Sequence, residues 1–421
     1  MRLAFVVHSR DIFNHYKTIV DALPCDVDLL ACFAKNYSTR HDDAATLRAD
    51  GYSLVDPYSV GKRAQPYDAI ISNHLGGLPL KRRRALGERQ INMVYSLGDL
   101  EWVFGEWNRH FDAALCYGPY QQRIFDELFP YVKTAGVGYP RLDAVFENAP
   151  TRGEMAERLG LDPARRIVVW LPTLGDVCSI DAYCDSVSAL TDTYSVIVKP
   201  HPATPSEQVA RLKSAAFHRL VEGSVNNAHL IDLADFVIAD YGGSMFASIY
   251  LDANVLLLNM PNDVFSMFTG PFSPDIHARN HIANVSDGAA IRPTLEDPAV
   301  WEDQKTVRRV YRDYLFADVP KGRCGKYAAE AVMRFAGEPV RTGTPEAPAG
   351  ALTMDLARIV PAGVLETRYP YPDWAAAVVR GYGDMKMLRE KEKRLAKWQN
   401  MGVFKFVRRR LRRMLFGTPP R

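Results

Sequence analysis

Short apolar runs alternate with helical patterns through the first third of the chain. Leu3-Ala-Phe-Val-Val7 reads as a buried strand, and an amphipathic stretch follows around Ile12–Leu23. Val27–Cys32, Ala69–Ser72, Ile91–Tyr95 and Ala113–Cys116 continue the series of strands. Continuous apolar strands separated by helical patterns predict βαβ units, hence a parallel sheet with helices on both faces. Lys35–Pro66 is too irregular to assign. A second block of the same kind starts after Pro150, with a helix at Glu154–Leu159 and a turn at Asp162-Pro163. Strands follow at Arg166–Leu171, Tyr194–Lys199, Asp235–Asp240 and Asn254–Asn259. The expected architecture is therefore α/β: two doubly wound, Rossmann-like domains at 1–150 and 151–337, joined near residues 138–152. Ligands of such sheets lie beyond the carboxyl ends of the strands, and in a two-domain version those ends face each other across a cleft. Glu338–Gly350, rich in Pro, Thr, Gly and Glu, opens a linker over 338–373. A highly charged helical pattern at Trp374–Asn400 leads into the end of the chain, making 374–421 a helical extension. The two halves share a folding pattern but no sequence repeat.

Charge changes this picture. The 421 residues carry 52 Lys+Arg and 49 Asp+Glu, a net charge of only +3. Residues 401–421 hold seven basic residues and no acidic ones. Setting these seven aside leaves 45 Lys+Arg against 49 Asp+Glu, so a body of charge −4 is joined to a tail of +7. On a helical wheel, Val403, Phe404, Val407, Leu411, Met414 and Leu415 share one arc, with Lys405, Arg408, Arg409, Arg412 and Arg413 covering most of the rest. Large apolar residues opposite a basic face describe a helix lying on an anionic membrane. A solvated or partner-bound helix, or contact with RNA, would use the same charges. Without stacking aromatics or a known nucleic-acid-binding motif, the membrane reading is preferred and nucleic acid set aside.

Composition narrows the rest. Apolar residues at 47% and charged residues at 24% describe an ordinary soluble body and exclude wholesale disorder. The N-terminal apolar run is too short for a signal peptide, and no stretch reaches the length of a spanning helix. Six scattered cysteines support neither a disulfide framework nor a zinc site, so no metal site is expected. The expected location is cytoplasmic, peripheral on the inner face of a bacterial membrane.

Candidate chemistry gathers at strand ends. In Val196-Ile-Val-Lys-Pro-His201-Pro, two prolines fix the backbone where Lys199 and His201 leave the sheet. A histidine with a nearby lysine can neutralise a departing diphosphate, although a histidine packed in a turn would fit the spacing equally well. In Asp235-Phe-Val-Ile-Ala-Asp240-Tyr-Gly-Gly-Ser244, Gly242 and Gly243 allow close approach of a ligand, and Ser244 stands near a helix N-terminus that attracts phosphate. Ser244 as a simple N-cap is the structural alternative. Gly136-Val-Gly-Tyr-Pro-Arg141-Leu-Asp143 sits at the domain boundary, with Arg141 able to reach the cleft and Asp143 able to cap the next helix. Val94-Tyr-Ser-Leu-Gly98-Asp99 and Ser72-Asn-His74-Leu-Gly-Gly77 follow first-domain strands. Asp99, His74 and His8, in falling preference, are candidate bases for an acceptor, and each has an ordinary structural alternative. Lys81-Arg-Arg-Arg84 is either a solvated helix start or a holder of an anionic acceptor. The dinucleotide fingerprint and the P-loop are absent, so neither a nicotinamide cofactor nor ATP hydrolysis is expected.

Taken together, Tyr139-Pro-Arg-Leu-Asp143, Val169-Trp-Leu-Pro-Thr173, Val198-Lys-Pro-His201 and Leu233-Ala-Asp-Phe-Val-Ile-Ala-Asp240-Tyr-Gly-Gly-Ser244 resemble the CDP-glycerol glycerophosphotransferase family, which includes the teichoic acid polymerases. Asn254–Asn259 and Lys321-Gly-Arg-Cys-Gly325 resemble its following strand and closing helix, and the likeness spans residues 91–336. The resemblance implies a GT-B fold and a CDP-activated polyol phosphate donor held mainly by the second domain. It implies His201 on the donor diphosphate and Ser244 with its glycine turn, Gly242 and Gly243, on a donor phosphate. From their strand-end and boundary positions, Lys199, Asp240 and Arg141 are expected to join the donor-phosphate set. Three departures stand out. The family's His-Gly-Thr-Pro segment, whose His acts as base, reads Tyr95-Ser-Leu-Gly98 here. The Asp-Tyr-Ser-Ser turn reads Asp240-Tyr-Gly-Gly-Ser244, and the arginine after Pro-Thr-Trp is missing at Leu174-Gly175.

The expected function is transfer of a polyol phosphate from a CDP-activated donor to a lipid-linked or polysaccharide acceptor, in envelope or capsule polymer synthesis. No cofactor is expected to be tightly bound; the nucleotide donor is a substrate. The alternatives are a GT-B glycosyltransferase using a nucleotide sugar, a sugar-nucleotide epimerase of the same fold, and a catalytically inactive membrane-tethered scaffold.

Overall fold

A computed structural model describes residues 1–32, 40–60, 66–73, 78–87, 89–98, 103–147, 150–222, 226–261, 269 and 273–338. By packing, the chain divides into Met1–Tyr369 and Pro370–Arg421, and all described residues lie in the first unit.

The continuous apolar runs form strands because a parallel strand covered by helices on both faces never meets water. β1 (Arg2–Val7), β2 (Asp26–Ala31), β3 (Leu54–Val55), β4 (Ala69–Ser72), β5 (Arg89–Met93), β6 (Ala113–Cys116) and β7 (Lys133–Gly136) make one sheet in the order β3-β2-β1-β4-β5-β6-β7. β8 (Ile167–Leu171), β9 (Ser195–Val198), β10 (Arg219–Leu220), β11 (Phe236–Ala239), β12 (Val255–Leu258) and β13 (Asn284–Val285) make the other, ordered β10-β9-β8-β11-β12-β13. Every pairing is parallel, with Phe5 opposite Leu29 and Ile71 in the first sheet and Val169 opposite Ile197 and Val237 in the second. Phe5, Ile71, Trp170, Ile197 and Ile238 are fully inaccessible.

Helices punctuate the strands as the caps dictate. Ser9 accepts the amide of Ile12 to start the helix Arg10–Ala22, whose inner face buries Phe13, His15, Tyr16 and Ile19. Thr151 and Glu154 form a capping box on the helix Arg152–Leu159, which ends at left-handed Gly160.

Far from closing its own half, the helix Cys324–Gly337 returns to the first sheet. Its first amides, of Cys324 and Gly325, donate to the carboxylate of Asp143. The sequence suggested that Asp143 caps the next helix; it caps one 181 residues later, because the turn Pro140–Val145 meets that helix in space. Gly325 lies so close to Thr18 that a Cβ would come within 2.6 Å of it. Ala317 also donates to the carbonyl of Tyr117, so the first sheet is covered in part by residues from the far end.

Among the described residues, no helix is long and apolar enough to cross a membrane. The basic tail, including Phe404, Lys405, Arg408, Arg409, Arg412 and Arg413, lies outside them, as do residues 339–373 of the linker.

Candidate active site

The strand-end segments converge from both sheets. β9 ends at Val198 and delivers Lys199, whose amide donates to the carbonyl of Trp170 on β8. Pro200 and Pro202 bracket His201, and Nδ1 of its ring accepts the amide of Ala203 at 3.1 Å. That bond fixes the neutral tautomer with its proton on Nε2, leaving a donor for a ligand. Burial pulls the pKa of His201 down, against the attraction of Asp11.

Asp11 and His15 were missed by the sequence reading, although their spacing of four residues puts them on one face of the helix after β1. Arg141 joins them to the boundary turn, donating to Asp11 at 2.8 Å and to Nε2 of His15 at 2.7 Å. Thr18, one turn further along, donates to the carbonyl of Pro140 and holds the same turn. Lys199 is 6% exposed, and burial together with Arg141 lowers its pKa, while Asp11 opposes this. His201 responds to Asp11, Lys199 and Arg141 alike, so these groups share one electrostatic field across the two sheets. Within it, two cations face a single carboxylate, and both histidines are held towards neutrality by burial. Such surplus positive charge at strand ends suits an anion of more than one charge.

The second half of the site is a turn. Gly242 has φ +81° and ψ −148°, a conformation open to glycine, and it is the N-cap of the helix Gly243–Leu251. No side chain caps that helix end, and a Cβ at Gly243 would meet nothing within 4 Å. Ser244 is therefore in the first turn rather than at the cap, half-buried beside open space.

Asp240, expected among the phosphate ligands, has a different task. Its carboxylate is fully buried and accepts from the amides of Thr173, Ser179 and Tyr241 and from the hydroxyl of Ser179. Burial pushes its pKa up to about 6 against these hydrogen bonds. It ties the loops after β8 and β11 together.

Beneath it, Arg279 is fully buried and donates to the carbonyls of Asp240, Asp275 and Leu258 while lying 3.6 Å over the Tyr241 ring. Asp275 accepts the amide of Gly242 at 2.5 Å and the hydroxyl of Ser273 at 2.8 Å. The single hydroxyl proton of Ser273 lies between Asp275 and the carbonyl of Gly98 in the loop after β5, 2.8 Å from each oxygen. A Cβ at Gly98 would lie 2.4 Å from Asp275, so this crossing between the sheets requires glycine.

The loop that carries Tyr95 thus meets the Gly242 turn through Gly98, Ser273 and Asp275, as its place after a strand suggested. Asp99 and His74 lie outside the described residues, and His8 follows β1. The arginines of the Lys81–Arg84 cluster are spent on the protein itself: Arg82 donates to Pro57 and Val60 carbonyls, and Arg84 to that of His110, while Lys81 is exposed. Arg83 is fully buried, on Ser72 and the carbonyl of Leu78. Among the described residues, no group of His, Cys, Asp or Glu could hold a metal ion.

No curated protein matches the chain by sequence. The wall teichoic acid polymerase TagF is similar in structure, with a TM-score of 0.57 and 14% identity over 80% of this chain and 88% of that one. A TagF variant soaked with CDPG gives 0.55 at 13% identity, over 80% and 88%. Alr3699/HepE of Anabaena, in complex with UDP-glucose, gives 0.50 at 10% identity, over 79% and 99%. These likenesses bear out the two-sheet GT-B architecture. Residues 81–259, from the helix after β4 through β12, match the model of the CDP-Glycerol:Poly(glycerophosphate) glycerophosphotransferase family, so the core of this chain, Lys199, His201 and the Asp240–Ser244 turn included, carries the pattern of a family of transferases.

Proposed function

We propose that the chain transfers a polyol phosphate, glycerol phosphate or a close analogue, from a CDP-activated donor to a lipid-linked or polysaccharide acceptor in bacterial envelope or capsule polymer synthesis. The surplus positive charge of Lys199 and Arg141 around His201, in a segment matched by the glycerophosphotransferase model, carries this reading. The donor diphosphate lies against Lys199, Arg141 and the Nε2 proton of His201. The turn Gly242–Ser244 offers amides and a helix end to a phosphate oxygen. Charge that develops on the departing nucleotide is neutralised by groups already in place, which is the largest source of acceleration available to such a site. A +7 tail holds the protein on the anionic inner face of the membrane, next to a lipid-linked acceptor.

The test is transfer of radiolabel from CDP-glycerol to membranes. His201→Ala should lower transfer by about 100-fold or more with circular dichroism unchanged; full activity in that variant overturns the site. Deletion of residues 401–421 should release the protein from anionic vesicles without unfolding it. Similarity to HepE in its UDP-glucose complex supports a second reading, a nucleotide-sugar transferase, and label from UDP-glucose instead of CDP-glycerol would select it.

A further inference from the structure

The proposed transfer requires a group that accepts the acceptor's proton, and the following inference rests on that reading. His15 is 5% exposed, and its ring stands edge-on to that of Tyr95, 5.7 Å away at 85°. It thus stands on the helix after β1 and packs against the loop that leaves the carboxyl end of β5. A guanidinium only donates, so the bond from Arg141 fixes the lone pair of His15 on Nε2 and its proton on Nδ1. Nδ1 is buried and has no hydrogen-bond partner. The neutral ring thus holds one lone pair, covered by a single cation, and one donor without a partner. Arg141 and Asp11 are its charged neighbours, with side chains 23% and 51% exposed, and the same two groups act on His201 of the second sheet.

We propose that His15 is the base that accepts the acceptor's proton, and that Arg141 is its gate. At rest the guanidinium covers Nε2. An anionic donor competes for Arg141 and draws it towards the diphosphate, uncovering the lone pair only when donor is in place. The acceptor oxygen then bonds to the donor's terminal phosphorus as its proton passes to Nε2 of His15. The bond from that phosphorus to the bridging oxygen breaks, and the electron pair leaves on the nucleoside monophosphate beside Lys199 and His201. Departure of Arg141 removes one of the two causes that hold the ring neutral, and Asp11 then stabilises the imidazolium formed. The base thus comes from a helix rather than from the Tyr95–Gly98 loop it touches.

His15→Gln and His15→Phe test this in the full-length protein, Gln keeping an acceptor for Arg141 and Phe keeping a ring against Tyr95. Each variant is assayed for CDP-glycerol binding by calorimetry and for kcat and donor KM in transfer. The expected result is a fall in kcat of about 100-fold or more, with donor Kd and KM within about threefold of wild type. A kcat within threefold of wild type in either folded variant overturns the assignment. Equal losses of donor affinity and kcat/KM also overturn it, because they would make His15 a positioning residue for Arg141. Wild-type protein that neither binds CDP-glycerol nor transfers from it overturns the parent reading instead, and is recognised without any variant.

Discussion

Two networks of arginine and carboxylate lie in the connections that follow the strands, Asp240, Asp275 and Arg279 after β11 and β12 and Asp11, Arg141 and Lys199 after β1, β7 and β9, and they differ in how their charges are satisfied. In the first, Asp240, Asp275 and Arg279 are all fully buried, and each is saturated by backbone or hydroxyl partners from neighbouring loops. In the second, Asp11, Arg141 and Lys199 include one carboxylate for two cations, and Asp11 is half exposed. The first is closed and holds loops in place. The second is open and keeps a surplus of positive charge. Burial together with saturation marks a structural charge; surplus of one sign at a strand end marks a binding one.

The sharpest way to break this contrast is Arg279→Met. Removing the cation leaves three backbone carbonyls unpaired in the interior and should cost about 3–5 kcal/mol, read by chemical denaturation; a loss below 1 kcal/mol would show that the network is not closed. Asp240→Asn turns an amide NH2 towards donors that need an acceptor. It should cost about 1–3 kcal/mol, and the lower melting temperature should be accompanied by loosening of the loops after β8 and β11 in hydrogen exchange.

The open network answers to pH. Burial, with Arg141 beside it, holds the pKa of His15 down at about 3, below its ordinary 6.5. The unfolded chain therefore binds the extra proton first, and stability contributed by the neutral ring is complete above pH 6.5 and lost as pH falls towards 3. That slope is at most about 1.4 kcal/mol per pH unit, and it should be missing from the stability–pH curve of His15→Gln. Identical acid limbs in the two proteins would show that the ring is charged in the folded state. The smallest effect has the opposite sign. Lys199 is buried next to another cation, so Lys199→Met should leave stability unchanged or raise it by less than about 1 kcal/mol while donor binding is lost. A substantial destabilisation there would move Lys199 into the closed class.

What could be read from the residues follows the same physics. Nine strand signals in the sequence correspond to strands, and the four strands without a signal are β3, β7, β10 and β13, the four sheet edges. An edge pairs on one side only, so β7 can be Lys-Thr-Ala-Gly with an exposed lysine, and β10 needs just Arg219 and Leu220. Lys199 and His201 were legible because prolines and a strand fix where they emerge. Asp11 and His15 were not, since the amphipathic pattern starts at Ile12 and a polar pair on a helix face carries no mark of what faces it. Asp240 was legible as a strand-end acid, but the number of amides that converge on it was not.

Apolar runs and their spacing were enough to determine a parallel α/β protein with two sheets, the strand ends where its chemistry sits, and a body and tail of opposite charge, because burial of continuous strands is a local, additive demand. Tertiary structure alone decided that Asp240 braces loops, that Asp143 caps a helix 181 residues later, and that Arg141 covers His15. The role of a polar side chain depends on which distant groups exclude water from it and pair with it, and those neighbours are set by packing rather than by sequence position.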